Sequence, residues 1–324
     1  LNCKPDEIIF TSGGTESINF AIKGIAFANK KGHIITQKTE HHAVLDVCKW
    51  LEKQGFSVTY LGVDSFGLVN PKDIESAIRK DTILVSIMYA NNETGTIQPI
   101  KEIADICKKK KVLFHTDACQ AAEYLDINVK ELGADLMTIN GSKIYGPKGV
   151  GLLFIKKGVS ITPLLHGGGQ EFKLRSGTEN VPAIVGFAKS LELAQKEKDV
   201  ESKKLTKLRN GFISELLKIP NSKLNGHPTK RLPNNVNISF YGVEGESVIL
   251  MLNEKSIFAS TGSACSTKSL EASHVLLAIG LKHDWAHGSI RFSLGRTTSE
   301  KDIEYVLQVF PKIISDLRGI SPVK

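Results

Sequence analysis

The 324-residue chain has few cysteines, tryptophans and methionines (five, two and three), and the scarcity of cysteine excludes the most. The cysteines stand at 3, 48, 107, 119 and 265, an odd set without a CxxC pair, so neither a disulfide framework nor a cysteine zinc site is supported, and a reducing cytosol is the expected compartment. No uncharged apolar run approaches the roughly 18 residues of a membrane span, so a bilayer-crossing helix is not expected. Aromatic residues make up 7% of the chain, and none interleaves with the densest basic run, Lys108 to Lys111. That run reads as a solvated helix end, and no direct nucleic-acid partner is expected despite a net charge of +8. Internal repeats and low-complexity segments are missing as well. The 41% hydrophobic content excludes disorder and suffices for a large core.

Up to about residue 160, short β-branched runs alternate with amphipathic stretches, the pattern of βα units around a mostly parallel sheet flanked by helices. Strands are predicted at Ile8–Thr11, His33–Thr36, Ser57–Leu61, Ile83–Tyr89, Val112–Thr116, Leu136–Ile139 and Val150–Ile155. Between them Ile18, Ala21, Ile22 and Ile25, and then Val44, Val47, Cys48 and Leu51, recur at helical spacing, which makes Cys48 a core residue. Cys107 shares an apolar face with Ile103 and Ala104 and reads the same way. A glycine-rich stretch from Gly167 to Gly177 precedes a long charged helical pattern. The elements beyond it predict a smaller α+β domain, giving an α/β domain over 1–203 and a second domain over 204–324.

Polar clusters fall where the predicted parallel strands end, the edge at which open α/β sheets bind ligands. The first strand runs into Ser12-Gly13-Gly14-Thr15-Glu16, a phosphate cradle at a helix N-terminus or a plain N-cap. Another strand end carries His41 and His42. Adjacent imidazoles without a third ligand argue against zinc, and stacking on a planar ligand or moving a proton remains. Asp117 closes an apolar strand with Gln120 three residues on, and Asn140-Gly141-Ser142-Lys143 follows one αβ unit later. A strand-end carboxylate and a lysine on one ligand are the pair that pyridoxal phosphate needs; alone, Lys143 reads as a surface charge. The glycines around Lys143 match neither a P-loop nor GxGxxG. In the second domain Cys265 lies among turn formers and on no apolar face, an accessible nucleophile or an incidental loop thiol. Arg291, inside a strand, is a carboxylate clamp or a structural ion pair.

These motifs, Phe10-Thr11-Ser12-Gly13-Gly14-Thr15-Glu16-Ser17, Thr39-Glu40-His41, Asn91-Asn92-Glu93-Thr94-Gly95, His115-Thr116-Asp117-Ala118-Cys119-Gln120, Ser142 to Gly149, Arg175 to Asn180 and Gly262-Ser263-Ala264-Cys265, occur in the order found in NifS/IscS-type cysteine desulfurases, and the chain resembles that family along essentially its whole length. The resemblance implies a fold-type I pyridoxal-phosphate homodimer that takes sulfur from L-cysteine, releases L-alanine and leaves a persulfide on Cys265. That sulfur would go to an iron-sulfur scaffold or a tRNA-thiolation acceptor. It implies Lys143 as the aldimine lysine, Asp117 as partner of the pyridinium, and His41 stacked on the ring and assisting proton transfer. Gln120 would bond the phenolic oxygen. Gly14 and Thr15 would hold the phosphate with Thr178 from the other subunit, and Asn92 and Arg291 would bind the substrate carboxylate. A class V aminotransferase, a selenocysteine lyase or a non-catalytic assembly scaffold are the alternatives. Three departures stand out. Asn140 and Ser142 occupy positions where the family commonly has Ser-x-His, Cys119 stands where it often has Thr or another small residue, and it carries several dozen residues before the point matching Leu1, so the chain reads as a fragment.

Overall fold

The alternation along the first half of the chain produces β1 (Ile8–Thr11), α1 (Gly14–Asn29), β2 (His33–Gln37), α2 (His42–Glu52), β3 (Ser57–Leu61), α3 (Pro71–Ala77), β4 (Thr82–Ser86), α4 (Ile100–Lys110), β5 (Leu113–Asp117), α5 (Val129–Leu132), β6 (Leu136–Asn140) and β7 (Gly151–Ile155). A computed structural model describes residues 1–262 and 272–321 of the chain. Its chain contacts form two compact units, one of 1–62, 69–90 and 98–198, the other of 63–68, 91–97 and 199–324. The chain passes from the first to the second inside α6 (Val181–Leu216).

The first unit is built on a seven-stranded sheet in the order β1-β7-β6-β5-β4-β2-β3. Strands β2 to β6 pair in parallel, whereas β7 is antiparallel to β6 and to β1. The connection from β6 to β7 explains the reversal. It is shorter than the dozen or more residues of a helical crossover, so the chain can only return alongside the strand it left. The predicted apolar faces are buried as expected. Ile18, Ala21, Ile22 and Ile25 of α1 and Val44, Val47, Cys48 and Leu51 of α2 form one core with Ile34, Leu84, Leu136 and Leu153. Cys107 is also buried. Helix α4 ends in Lys108, Lys109 and Lys110, with Lys111 capping it in the left-handed conformation, so the basic run is the solvated helix end that the sequence suggests.

His115, in the middle of β5, is fully buried, with Nδ1 2.9 Å from Ser86 Oγ and Nε2 3.0 Å from Thr138 Oγ1. Burial depresses its pKa to about 3. An imidazole depressed on folding contributes stability that is present above its unfolded pKa, about 6.5, and is lost as the pH falls through 3. Acidification over that window should therefore remove roughly 5 kcal/mol through this residue. Urea unfolding midpoints measured from pH 7 to pH 3 test this; if His115→Asn loses as much on the acid side as the parent chain, the attribution to His115 is wrong.

The second unit holds β8 (Ser222–Leu224), β9 (Asn235–Phe240), α7 (Gly245–Asn253), β10 (Ser260–Thr261), α8 (His274–Ala278), α9 (His283–His287), β11 (Ser289–Ser293) and α10 (Glu300–Ile320). Its antiparallel sheet has the order β10-β11-β9-β8. Phe212, Phe240, Phe292 and Phe310 pack edge to face with centroids 5.0 to 5.6 Å apart, and a Ser299/Asp302 capping box starts α10.

Candidate active site

The polar residues of the first unit collect at one edge of its sheet because β1, β2, β4, β5 and β6 all point their carboxyl ends the same way. Thr11 and Asn140 both pair with Gly151, so the turn that leaves β1 lies beside the turn that leaves β6. Gly13 holds φ +146°, a conformation that L side chains avoid. At Gly14 a Cβ would stand 3.0 Å from Cys119 Sγ and 3.5 Å from Asn140 Cβ, so any side chain there would crowd the Cys119 thiol. The first intrahelical bond is donated by Ser17 to the Gly13 carbonyl, and the amides of Gly14, Thr15 and Glu16 come before it. Amides left over at a helix N-terminus favour an anion. Glu16 accepts from Ser12 N at 2.7 Å and pairs with the Arg175 guanidinium at 2.8 Å.

Asp117 is buried at the end of β5, and its Oδ1 accepts from Cys119 N at 2.9 Å. Burial and the adjacent Asp117 charge push the Cys119 thiol far above its ordinary pKa, so it is a neutral packing group; Lys143 acts on it in the opposite sense. Lys143 closes a single turn of 3-10 helix after β6, with its side chain exposed. His41 caps α2, and its Nδ1 accepts the Ala43 N–H at 3.1 Å. An amide can only donate, so Nδ1 is bare and the neutral ring carries its proton on Nε2. Burial lowers the His41 pKa; Asp117 opposes that shift, while His42 and Lys143 reinforce it. His41 and Cys119 thus each lie within electrostatic reach of both Asp117 and Lys143. The His41 and His42 rings are 6.5 Å apart and inclined by 70°, unlike two ligands converging on one ion.

Gln120 is half-buried three residues past Asp117, and Ser142 is exposed beside Lys143. Thr178 is exposed and lines a hollow of about 260 Å³ with Thr11, Ser12, Arg175 and Gly177. Within the second unit, Arg291 Nη1 donates to the Asn92 carbonyl at 2.8 Å, which brings the two expected carboxylate ligands together. Cys265 lies outside the described residues.

The residues present fit pyridoxal phosphate on the chemistry of the donor set. The group carries a dianionic phosphate, a ring nitrogen to be kept protonated and an aldehyde. The first unit offers a glycine cradle of helix-end amides, a buried carboxylate and an accessible amine.

Two carboxyls went unassigned in the sequence. Glu40 is fully buried and driven up to about 8 by burial, with Asp117 adding to the shift. In the second unit Glu93 is buried and accepts from Ser273 Oγ; burial raises it to about 7, against the pull of Arg291. Both sit in motifs that end strands, and a glutamate inside such a motif was the available signal.

Residues 1–306 match the family described as aminotransferase class-V. The chain is 59% identical over 324 residues to the cysteine desulfurase IscS of Methanosarcina thermophila, covering 99% of this chain and 80% of that protein. Among solved structures, a NifS-like protein matches with a TM-score of 0.91 at 41% identity, covering 98% of this chain and 84% of its own. SspA, solved in complex with cysteine, matches with a TM-score of 0.78 at 38% identity, covering 91% and 83%.

Proposed function

Because the chain belongs to the class-V aminotransferase family, we propose that it is a pyridoxal-phosphate-dependent cysteine desulfurase, which removes the sulfur of L-cysteine and releases L-alanine. The observation that carries this reading is the gathering of His41, Asp117, Cys119 and Lys143 beside the glycine turn that opens α1. Relatives named for this reaction, and a structural neighbour solved with cysteine, support it.

The amides of Gly14 and Thr15 would hold the phosphate, assisted by the side chains of Thr15, Asn140 and Ser142. In a homodimer, Thr178 of the partner subunit would join them. Asp117 would pair with the ring nitrogen, Gln120 with the phenolic oxygen and Lys143 with the aldehyde. When bound, pyridoxal phosphate supplies an electron sink that weakens the bonds at the substrate's α-carbon. The rest falls to this chain. The amine of Lys143 takes up the α-proton and returns it. His41, neutral and locked as the Nε2–H tautomer, is a proton donor at Nε2 and not a base at Nδ1. Asn92 and Arg291 hold the substrate carboxylate, the guanidinium keeping one donor on the Asn92 carbonyl. The Cys265 thiolate attacks the substrate sulfur; an S–S bond forms as the C–S bond breaks, and the carbon left behind is protonated to alanine. No outside oxidant is needed, since the sulfur leaves as a persulfide on Cys265. An iron-sulfur scaffold or a tRNA-thiolation protein in the cytoplasm would accept it. We assign the cofactor to the domain over 1–203 and the cysteine segment to that over 204–324.

Cys265→Ser separates this reading from an aminotransferase or selenocysteine lyase on the same scaffold. The variant should keep the visible absorption band of bound pyridoxal phosphate while persulfide formation from L-cysteine drops by about 100-fold or more. Undiminished sulfur release from the serine variant rejects the desulfurase role of that thiol.

A further inference from the structure

We propose that Glu40 is a positioning residue: its side-chain carboxyl continues the β2–β4 ladder past the end of β2 and so holds His41 against Asp117. The proposal rests on the site reading above for its catalytic consequence but not for its geometry.

The amides just past β4 alternate in direction. Ile87 N donates to the His115 carbonyl at 3.1 Å and Tyr89 N to the Asp117 carbonyl at 2.9 Å, both towards β5. Met88 N, between them, faces the other neighbour of β4, which is β2. There the regular ladder has ended, because β2 stops at Gln37 and the chain turns, with Glu40 N donating to the Gln37 carbonyl. The carbonyl of Gln37, the last residue of β2, is taken up by that turn. Glu40 Oε1 takes the Met88 amide, at 2.7 Å, and the same oxygen accepts from Gln37 Nε2 at 2.9 Å. Gln37 and Glu40 are both fully buried, so water does not compete for these bonds. One carboxyl oxygen therefore ties the turn carrying His41 to the backbone step that also bonds Asp117. His41 is the next residue, and the conformation it takes there lets its Nδ1 cap α2. The spacing between imidazole and aspartate thus depends on Glu40, although Glu40 touches neither substrate nor cofactor.

Asp117 from β5 and Cys48 from α2 interact with Glu40, and burial keeps its carboxyl neutral until about pH 8. In that state Glu40 adds no second negative charge beside Asp117. Above pH 8 it does, and His41 should sense the change.

The test is the imidazole NMR of His41 in the full chain, recorded from pH 5 to pH 9.5 for the parent, Glu40→Gln and Glu40→Ala, with a melting curve for each. This readout needs neither cofactor nor turnover, so it stands even if the desulfurase reading fails. Glutamine keeps the accepting oxygen and never ionises. It should show the parental Nε2–H tautomer and lack the inflection that the parent shows near pH 8. Alanine leaves Met88 N–H and the Gln37 amide without their acceptor. Its His41 should average both tautomers and titrate closer to the ordinary histidine value. In turnover of L-cysteine, alanine should lower kcat by about 10-fold or more with KM nearly unchanged, and glutamine should restore it below pH 8. A His41 spectrum identical in alanine and parent overturns the proposal. Loss of the parental Nε2–H tautomer in the glutamine variant, which keeps the accepting oxygen, overturns it too, and this arm decides alone if the alanine variant does not fold.

Discussion

Lys143→Ala should lower turnover of L-cysteine by about 1,000-fold or more and remove the visible band that pyridoxal phosphate gives when joined to a lysine. The expectation follows from how the chain presents this amine. Strand β6 ends at Asn140, and Gly141 N then donates to the Val150 carbonyl, pinning the first residue of the turn that carries Lys143. Ile144 N and Gly146 N both bond back to the Gly141 carbonyl, so the turn is tight and Lys143 leaves it in a set direction. Its charge reaches both His41 and Cys119. Removing the amine takes away the covalent anchor and the group that moves the α-proton, while the helix-end amides and Asp117 stay. Pyridoxal phosphate should therefore still bind, more weakly and without the covalent link. Lys143→Arg should fail as badly, because a guanidinium keeps the charge without a nucleophilic lone pair at neutral pH. Borohydride reduction followed by peptide mass analysis decides the point. The label should sit on Lys143, and recovery on Lys148 or another lysine would refute the assignment of the whole pocket.

Among substitutions, Gly288→Ala has the largest expected effect on stability. In the second unit, Phe240 N donates to the Gly288 carbonyl at 2.9 Å where β9 runs beside the start of β11. A Cβ on Gly288 would lie 2.0 Å from the Phe240 carbonyl oxygen and 3.0 Å from that of Val243. Both obstacles are backbone atoms, and no rotamer change relieves them. The strands must part, at a cost of about 3 kcal/mol or more, the upper end of what overpacking usually costs. The same shift disturbs Ser289 to Ser293, the strand that carries Arg291 to the Asn92 carbonyl. Chemical denaturation should show the loss directly, and KM for L-cysteine should rise in whatever fraction remains folded. A variant with parental stability would refute the claim that this strand crossing has no room for a methyl group.

Much of this was legible along the chain, for local reasons. The α1 and α2 faces follow from 3.6-residue spacing, and Asp117, His41 and Lys143 drew notice as polar residues that end apolar runs. Arg291 stands out as a cation inside a strand and Asn92 follows from the family resemblance, but their contact required β11 and the 91–97 turn to be folded together. Glu40 and Glu93 lie inside strand-end motifs whose pattern alone gives them no role. A glutamate's letter does not reveal whether it is solvated, and both owe their raised pKa to burial beneath residues distant in sequence.

The sequence by itself determined the βα rhythm, the glycine turn that opens α1, and the kinds of side chain at each strand end, because these depend on spacing and residue type within a few positions. The tertiary structure alone decided that β7 runs backwards, that 63–68 and 91–97 belong with the second unit, and which nitrogen of His41 carries the proton. Those outcomes depend on hydrogen-bond partners and desolvation supplied by parts of the chain far apart in sequence, which no local pattern encodes.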